Sequence, residues 1–445
     1  MKNIFILTKL RLFDRVLHIP IFQTIIMSDK ESSIFGIKKT GLLLAALCLV
    51  SRILFKLISG YDNFELFGDS VRYDNLSNDI IQGSGDMNIV AYLAAPLYPY
   101  TLALFKWISG ESWQLWAVSY QFILVSLSVI ALYRLALLWF ANQHVAIMGA
   151  LVYIFYPMTL WYNFTLAQET TFQAYFIFFL YFFYKTLRSD SYKYPILAAT
   201  FWSLALLTKS HIIALLIPLA LIFLIKRKAK FLLTFIMIAF LWTIPHGLEN
   251  LNKHGIYTLS SHGNASLFLL GHSDATYPCL TKRTSQLGEF SAQDCKPDIV
   301  FDLNYFDDNY GYFNRLSPKE RNSVRHQMAI DWIRANPTKF WELKWHGLQR
   351  AILPGLDSKQ FRIKFWLLSL LFGLLLYLPA YWILFQSLKD DFWTHAFSLS
   401  IVFLCAAIFI VFFPINRFRV ITVEPLLCVY AGKWYASRIK DWKSS

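Results

Sequence analysis

Residues 94–109 read APLYPYTLALFKWISG, and how this stretch is read decides how often the chain crosses a membrane. A bilayer's hydrocarbon core, about 30 Å thick, needs about 20 helical residues to span it. This segment is shorter, and Pro96 and Pro99 stand at its start, so it suits a helix lying in the interface better than a crossing one. Charge elsewhere in the chain tests that reading.

The chain has 445 residues, 56% of them hydrophobic, 18% aromatic and 16% charged, with a mean hydropathy of +0.43. That is too apolar for one soluble core and predicts an all-α polytopic membrane protein. Runs long enough to cross recur near residues 40–58, 114–139, 143–161, 169–187, 193–208, 210–226, 230–246, 364–387, 392–413 and 417–436. About ten transmembrane helices follow. Basic residues cluster before the first run (Lys30, Lys38, Lys39), after the fourth (Lys185, Arg188, Lys193), after the sixth (Lys226, Arg227, Lys228, Lys230) and after the last (Lys433, Arg438, Lys440, Lys443). With ten alternating crossings all four clusters fall on one side, which the positive-inside rule makes cytoplasmic. An eleventh crossing at 94–109 would split them.

The expected organisation is a cytoplasmic segment over 1–39, a transmembrane core over 40–246 that includes a first outer loop at 60–113, a large outer loop at 247–363, C-terminal spans over 364–436 and a cytoplasmic tail at 437–445. Translation from Met27 fits as well as translation from Met1. The net charge of +14 is accounted for by the basic loops and calls for no nucleic-acid partner. Cys48, Cys405 and Cys428 lie in spans, where a thiol is usually a small apolar residue. Cys279 and Cys295 lie in the large outer loop, in a compartment where disulfides persist, and are expected to pair.

That loop holds two helix signatures. Ser317, Pro318 and Glu320 form a capping box with proline in the first turn. A second helix is expected from Pro337 with Asn336 as its cap, and Trp341, Trp345 and Leu348 then recur at helical spacing on a face suited to the membrane surface. The loop reads as a lid or docking surface over a membrane-embedded site. No Walker loop, GxGxxG unit, HExxH helix or CxxC pair occurs, which argues against ATP-driven transport and nicotinamide chemistry.

Outer-side connections carry few ionisable groups: Asp69 in the first loop, Glu169 at the head of the fourth span, Lys209 and His211 between the fifth and sixth, His246 at the end of the seventh, and Arg417, Arg419 and Glu424 at the tenth. Inserting such a group costs roughly 2.5–3.5 kcal/mol near the membrane centre, so each needs a partner or a task. Acids and bases gathered at one interface suit an anionic substrate with a hydroxyl to deprotonate. Plainer roles stand beside this one. Asp69 can cap a helix running to residue 80, Glu169 can accept a hydrogen bond from a neighbouring helix, Lys209 can snorkel to headgroups, and Arg417 and Arg419 can bind any anionic lipid. His246 and His262 are read as structural.

The order of several segments resembles a known family: GDSVRYDNLSNDI (68–80) before the proline-aromatic stretch at 94–109, GALVYIFYPMTLWYNFTLAQETTFQAYFIFF (149–179), ALLTKSHIIALLIP (205–218), WTIPHGLENLNKHGIYTLSSHGNASLFLLGHSDAT (242–276) and NRFRVITVEP (416–425). Together they resemble the GT-C superfamily of membrane glycosyltransferases, in its family 39 branch of protein O-mannosyltransferases and lipid A aminoarabinose transferases. That resemblance implies an inverting transfer of one sugar from a polyprenyl-phosphate donor to a hydroxyl of a protein, lipid or glycan on the outer face. Asp69 would be the general base, and Tyr73, Glu169, Lys209, Arg417 and Arg419 would bind substrate, with an arginine fork matched to phosphate. Many members follow the acid with a second acid. Here Ser70 follows, which leaves a divalent metal open, and Lys209-Ser210 stand where the family more often has Arg-Pro. Rival readings are a secondary transporter or lipid-linked sugar flippase, against which no internal repeat is found, and a ligase or polymerase that uses a diphosphate-linked oligosaccharide.

Overall fold

The structure is a computed structural model that describes residues 33–34, 37–59, 69–82, 95–261, 264–281, 313–356, 363–412, 414 and 416–444. Apart from a two-residue antiparallel pairing of Ser33–Ile34 with Ile37–Lys38, the regular structure among the described residues is helical. In chain order the helices are α1 (Lys39–Ser59), α2 (Asp69–Gln82), α3 (Leu97–Ser109), α4 (Trp113–Phe140), α5 (Gln143–Phe155), α6 (Pro157–Phe164), α7 (Gln168–Leu187), α8 (Lys193–Thr208), α9 (Leu216–Ile225), α10 (Ala229–His254), α11 (Asn264–Leu270), α12 (Tyr277–Thr281), α13 (Pro318–Ala335), α14 (Pro337–Ile352), α15 (Ile363–Asp390), α16 (Phe392–Val411), α17 (Asn416–Thr422) and α18 (Glu424–Ser444). Among the described residues, five helical stretches are long and apolar enough to cross a membrane, or six if one bent pair counts as a single span. The chain is a polytopic, all-α membrane protein.

Every apolar run found in the sequence is helical, but three are broken where the side chains require it. The run at 143–161 becomes α5 and α6, bent by 53°. Proline disfavours the α conformation in the residue before it, and Tyr156 accordingly takes φ −70°, ψ 118° ahead of Pro157, which opens α6 at its first position. The run at 210–226 begins as a 3₁₀ turn, Ser210–Leu215, before α9. The last run splits at Val423 into α17 and α18.

Residues 97–140 form one helical stretch by composition, yet Tyr98 Oη donates to Gln121 Oε1 at 2.9 Å and the rings of Phe105 and Tyr120 lie 5.5 Å apart. Side chains 23 and 15 positions apart would be roughly 35 and 23 Å apart along a straight helix. The chain therefore reverses at Gly110, whose φ of 53° is costly for other residues, and α3 folds back across the start of α4.

The core is one aromatic-rich cluster. Phe172, Phe176, Phe179 and Phe183 line one face of α7 and are fully buried, which matches their helical spacing. The other close approach uses small residues. A Cβ on Gly432 of α18 would lie 2.3 Å from the Gly149 nitrogen of α5, the kind of contact that lets membrane helices pack backbone to backbone. Cys48, Cys405 and Cys428 are buried free thiols within these helices. α11–α14 assemble a smaller core of Leu269, Leu270, Phe313, Ala329 and Leu343. The capping box at Ser317 and Glu320 is formed. Asn336 departs from expectation: its side-chain amide donates back to Trp332 O at 3.0 Å and no side chain caps α14. Cys295 lies outside the described residues, and so does the expected bridge to Cys279.

Candidate active site

Five of the six candidate side chains converge at one end of the bundle, four of them charged. Asp69 opens α2, Glu169 lies in the first turn of α7, Lys209 follows the last residue of α8 and Arg417 sits on α17. An Arg417 Nη1 hydrogen donates to Asp69 Oδ2 in a close ion pair, although the two residues are 348 positions apart. Arg417 Nε also lies 3.5 Å from Glu169 Oε1. Lys209 Nζ donates to the same Oε1 at 2.8 Å, and its ammonium stands 4.8 Å above the Phe418 ring, a cation–π contact. Two acids and two cations thus form a chain, Asp69–Arg417–Glu169–Lys209, whose formal charges cancel.

The chain is not uniformly enclosed. The Glu169 and Lys209 side chains are 1% and 4% exposed, whereas Asp69 and Arg417 are 31% and 26% exposed. Its open end carries the carboxylate. The Arg417 guanidinium holds the Asp69 carboxyl below its ordinary range, against the opposing effect of burial, with Arg72 and Lys209 acting in the same direction. Position in the first turn of α2 favours the ionised form as well.

Tyr73 is brought to the site one turn beyond Asp69. It is buried and packs edge-on against Tyr98 at 5.3 Å, which suits a residue that braces α2. Lys106 fixes the same helix by donating to Asp74 Oδ1 and Asn78 Oδ1, both at 2.6 Å. Behind Glu169, Gln121 Nε2 donates to the carbonyls of Asn163 and Thr165. Arg52, fully buried in α1, donates to Asn163 Oδ1 at 3.0 Å and to Ile154 O at 2.7 Å. The second bond satisfies a carbonyl at the α5–α6 break, where a cation also complements the helix dipole.

Arg419 is not in this cluster. It is 1% exposed. Its Nε faces Glu424 Oε1 at 3.3 Å, its Nη1 donates to the carbonyls of Arg350 and Leu353, and its Nη2 donates to Gly355 O. Four of its five donors are engaged there. Arg72 belongs near the site although sequence reading passed over it. It lies three residues after Asp69, hence on the same helical face, and its Nη2 is buried with no hydrogen-bond partner among the described residues. Glu169 Oε2 is in the same condition. His246 is held by Ser260 O and Asn250, as a structural histidine would be, and His262 is outside the described residues.

A divalent metal does not fit this arrangement. Asp69 and Glu169 are already neutralised by Arg417 and Lys209, Ser70 stands where a second acid would extend the donor set, and among the described residues no three His, Cys, Asp or Glu side chains gather as ligands.

Residues 94–248 match the sequence pattern of the dolichyl-phosphate-mannose–protein mannosyltransferase family. The structure superposes on the archaeal oligosaccharyltransferase AglB from Archaeoglobus fulgidus, in complex with an inhibitory peptide and a dolichol-phosphate, with a TM-score of 0.56 and 13% identity over 91% of this chain and 51% of that one. The fold is that of the GT-C glycosyltransferases. A second structure of the A. fulgidus oligosaccharyltransferase, tethered to an acceptor peptide, gives 0.53 and 15% over 88% and 49%. ArnT from Cupriavidus metallidurans, bound to undecaprenyl phosphate, gives 0.40 and 13% over 87% and 77%. The chain spans about half the length of the two oligosaccharyltransferase structures. No curated protein matches it by sequence. The resemblance seen in the sequence is thereby borne out.

Proposed function

We propose that this protein is an inverting glycosyltransferase that moves a single sugar from a polyprenyl phosphate to a hydroxyl of a protein, lipid or glycan. The observation that carries the reading is Arg417 bridging Asp69 and Glu169, with Lys209 on the same Glu169 oxygen. A half-exposed carboxylate next to cations is what deprotonation of an acceptor beside a departing phosphate requires.

In the ground state Arg417 occupies Asp69 and weakens it as a base. A donor phosphate offers Arg417 a fork-matched anion, with Lys209 and Arg72 as further cations. Once Arg417 turns to the phosphate, the Asp69 carboxylate is free to take the acceptor's proton. The acceptor oxygen then bonds to the anomeric carbon as the bond from that carbon to the phosphate oxygen breaks. Polyprenyl phosphate leaves with both bonding electrons, its charge balanced by Arg417 and Lys209. A single displacement inverts the anomeric centre. Glu169 Oε2, buried without a hydrogen-bond partner among the described residues, is proposed to accept from a sugar hydroxyl once the donor is bound. Arg419, committed elsewhere, is proposed to hold the turn after α14 instead of touching substrate.

The same reading keeps ten spans, both termini in the cytoplasm and the site on the outer face of the cell inner or plasma membrane. Purified protein in liposomes, given polyprenyl-phosphate monosaccharides or diphosphate-linked oligosaccharides in parallel, tests it by mass spectrometry. Release of polyprenyl monophosphate with loss of the monosaccharide donor is expected. Turnover of the diphosphate-linked donor alone would reassign the enzyme to oligosaccharide transfer.

A further inference from the structure

α14 is the most lopsided helix of the outer-loop module. Trp341, Trp345 and Ile352 follow one stripe at i, i+4 and i+11 and are 69%, 59% and 59% exposed, and Leu353, just past the helix, is 58% exposed. The opposite face is pressed onto α16. A Cβ on Gly347 would lie 2.4 Å from Phe409 O, so the helix axis approaches the end of that apolar span at backbone distance.

Beyond α14 the chain turns into the flank of α15. Leu356 N donates to Ser369 Oγ at 2.9 Å. Gly355 has φ +90° and its absent Cβ would meet the backbone of Ser369 and Leu370 at 2.9 Å, while Pro354 lies against Gly373. The apolar stretch of α15 starts at Trp366. At 1.5 Å per residue, the turn sits roughly 5 to 10 Å inside that stretch. Non-helical backbone is tolerated at such depth only when protein groups satisfy it. Here the carbonyls of Arg350, Leu353 and Gly355 all accept from Arg419, which the buried Glu424 in turn balances.

We propose that α14 and the turn at 353–355 form a wedge seated in the bilayer interface, with lipid covering Trp341, Trp345, Ile352 and Leu353, and with Arg419 as the clamp that lets the turn enter. Lipid is the occupant because the exposed stripe runs into the depth of α15 beside the exposed Leu367 and Leu371, which a spanning helix turns to acyl chains. Its clamp Arg419 lies two residues from Arg417, so the wedge ties the outer-loop module to the membrane at the edge of the candidate site. This placement does not depend on the transfer reaction.

The test is a depth profile. Spin labels are placed singly at W341C, W345C, I352C and L353C, with R334C, at an exposed position of α13, as the water reference, in full-length protein lacking its native cysteines and reconstituted in liposomes. Collision with oxygen should exceed collision with a water-soluble nickel chelate at 345, 352 and 353, with contrast rising from 341 to 353, and Arg334→Cys should show the reverse. Water-like labels at 345 and 352 would overturn the wedge. Labels shielded from both reagents would overturn the lipid assignment too, because protein would then cover the face. A route that keeps the native cysteines uses brominated lipids: W341F/W345F should lose a measurable part of the quenchable tryptophan fluorescence, and an unchanged quenchable fraction counts against the proposal.

Discussion

Arg417 and Arg419 lie two residues apart on one short helix and do opposite things. Arg417 is half-buried and reaches two acids supplied by α2 and α7. Arg419 is sealed from solvent and bonds Glu424, five residues on, together with three carbonyls of the end of α14 and the turn after it. A buried charge stripped of its partner is costly, and the more of its donors are satisfied the more its loss orphans. On the proposed reading, the difference is between a cation whose partners can be exchanged for a ligand and one whose partners cannot.

Three substitutions press on that contrast, in order of effect. Asp69→Asn keeps the polar contact near Arg417 but cannot take a proton, and general-base loss lowers turnover typically 10²- to 10⁴-fold. Sugar transfer at equal protein level measures it, with the melting temperature unchanged; near-normal turnover would remove Asp69 from the chemistry. Arg419→Met should act on the fold, since it leaves Glu424 buried and unpaired and frees three carbonyls, at about 3–5 kcal/mol. Thermal unfolding in detergent reads that loss, and R419M/E424Q should recover part of it. A stable R419M with impaired donor binding would turn the comparison around. Arg417→Gln should leave the melting point nearly in place and weaken donor binding by about 1.5–3 kcal/mol, the usual worth of a charged hydrogen bond, which is roughly 10- to 150-fold in Kd. Titration with polyprenyl phosphate measures it, and an effect on acceptor affinity alone would move the phosphate site elsewhere.

The sequence showed the helices because crossing a membrane demands length and apolarity, and both are written locally. The apolar runs and the Ser317 capping box depend on neighbours within a few residues, whereas the fold-back of α3 onto α4 shows only in contacts such as Tyr98 to Gln121. What it did not show needs the third dimension. Nothing near Arg417 or Arg419 in NRFRVITVEP distinguishes one as the partner of a carboxylate 348 positions away and the other as a clamp on 350–355. Asn336 was expected to cap α14 because asparagine favours caps, yet the preceding helix offered its amide a carbonyl first. Arg72 was legible in principle, being one helical turn from Asp69, but only burial of its Nη2 without a partner marks it out.

The smallest effect is also the most specific. Arg417 depresses the Asp69 carboxyl, so in the free protein Asp69 stays ionised below the ordinary aspartate value of about 3.9,. For a group depressed in this way, the stabilising pair is complete above that value and is lost as pH falls through the folded one. The acid limb of kcat/KM reports the free enzyme and should fall below the ordinary range, whereas the limb of kcat reports the donor complex. If donor phosphate draws Arg417 away, Asp69 loses its main depressing charge and the kcat limb lies at higher pH than the kcat/KM limb. In Arg417→Gln that charge is gone in both states, so the kcat/KM limb should rise toward the kcat limb and the gap should close. Parallel pH profiles of kcat and kcat/KM for both proteins settle the matter. Coincident limbs in the wild type would mean that Arg417 keeps hold of Asp69 throughout the cycle, and the exchange of partners that separates Arg417 from Arg419 would have to be given up.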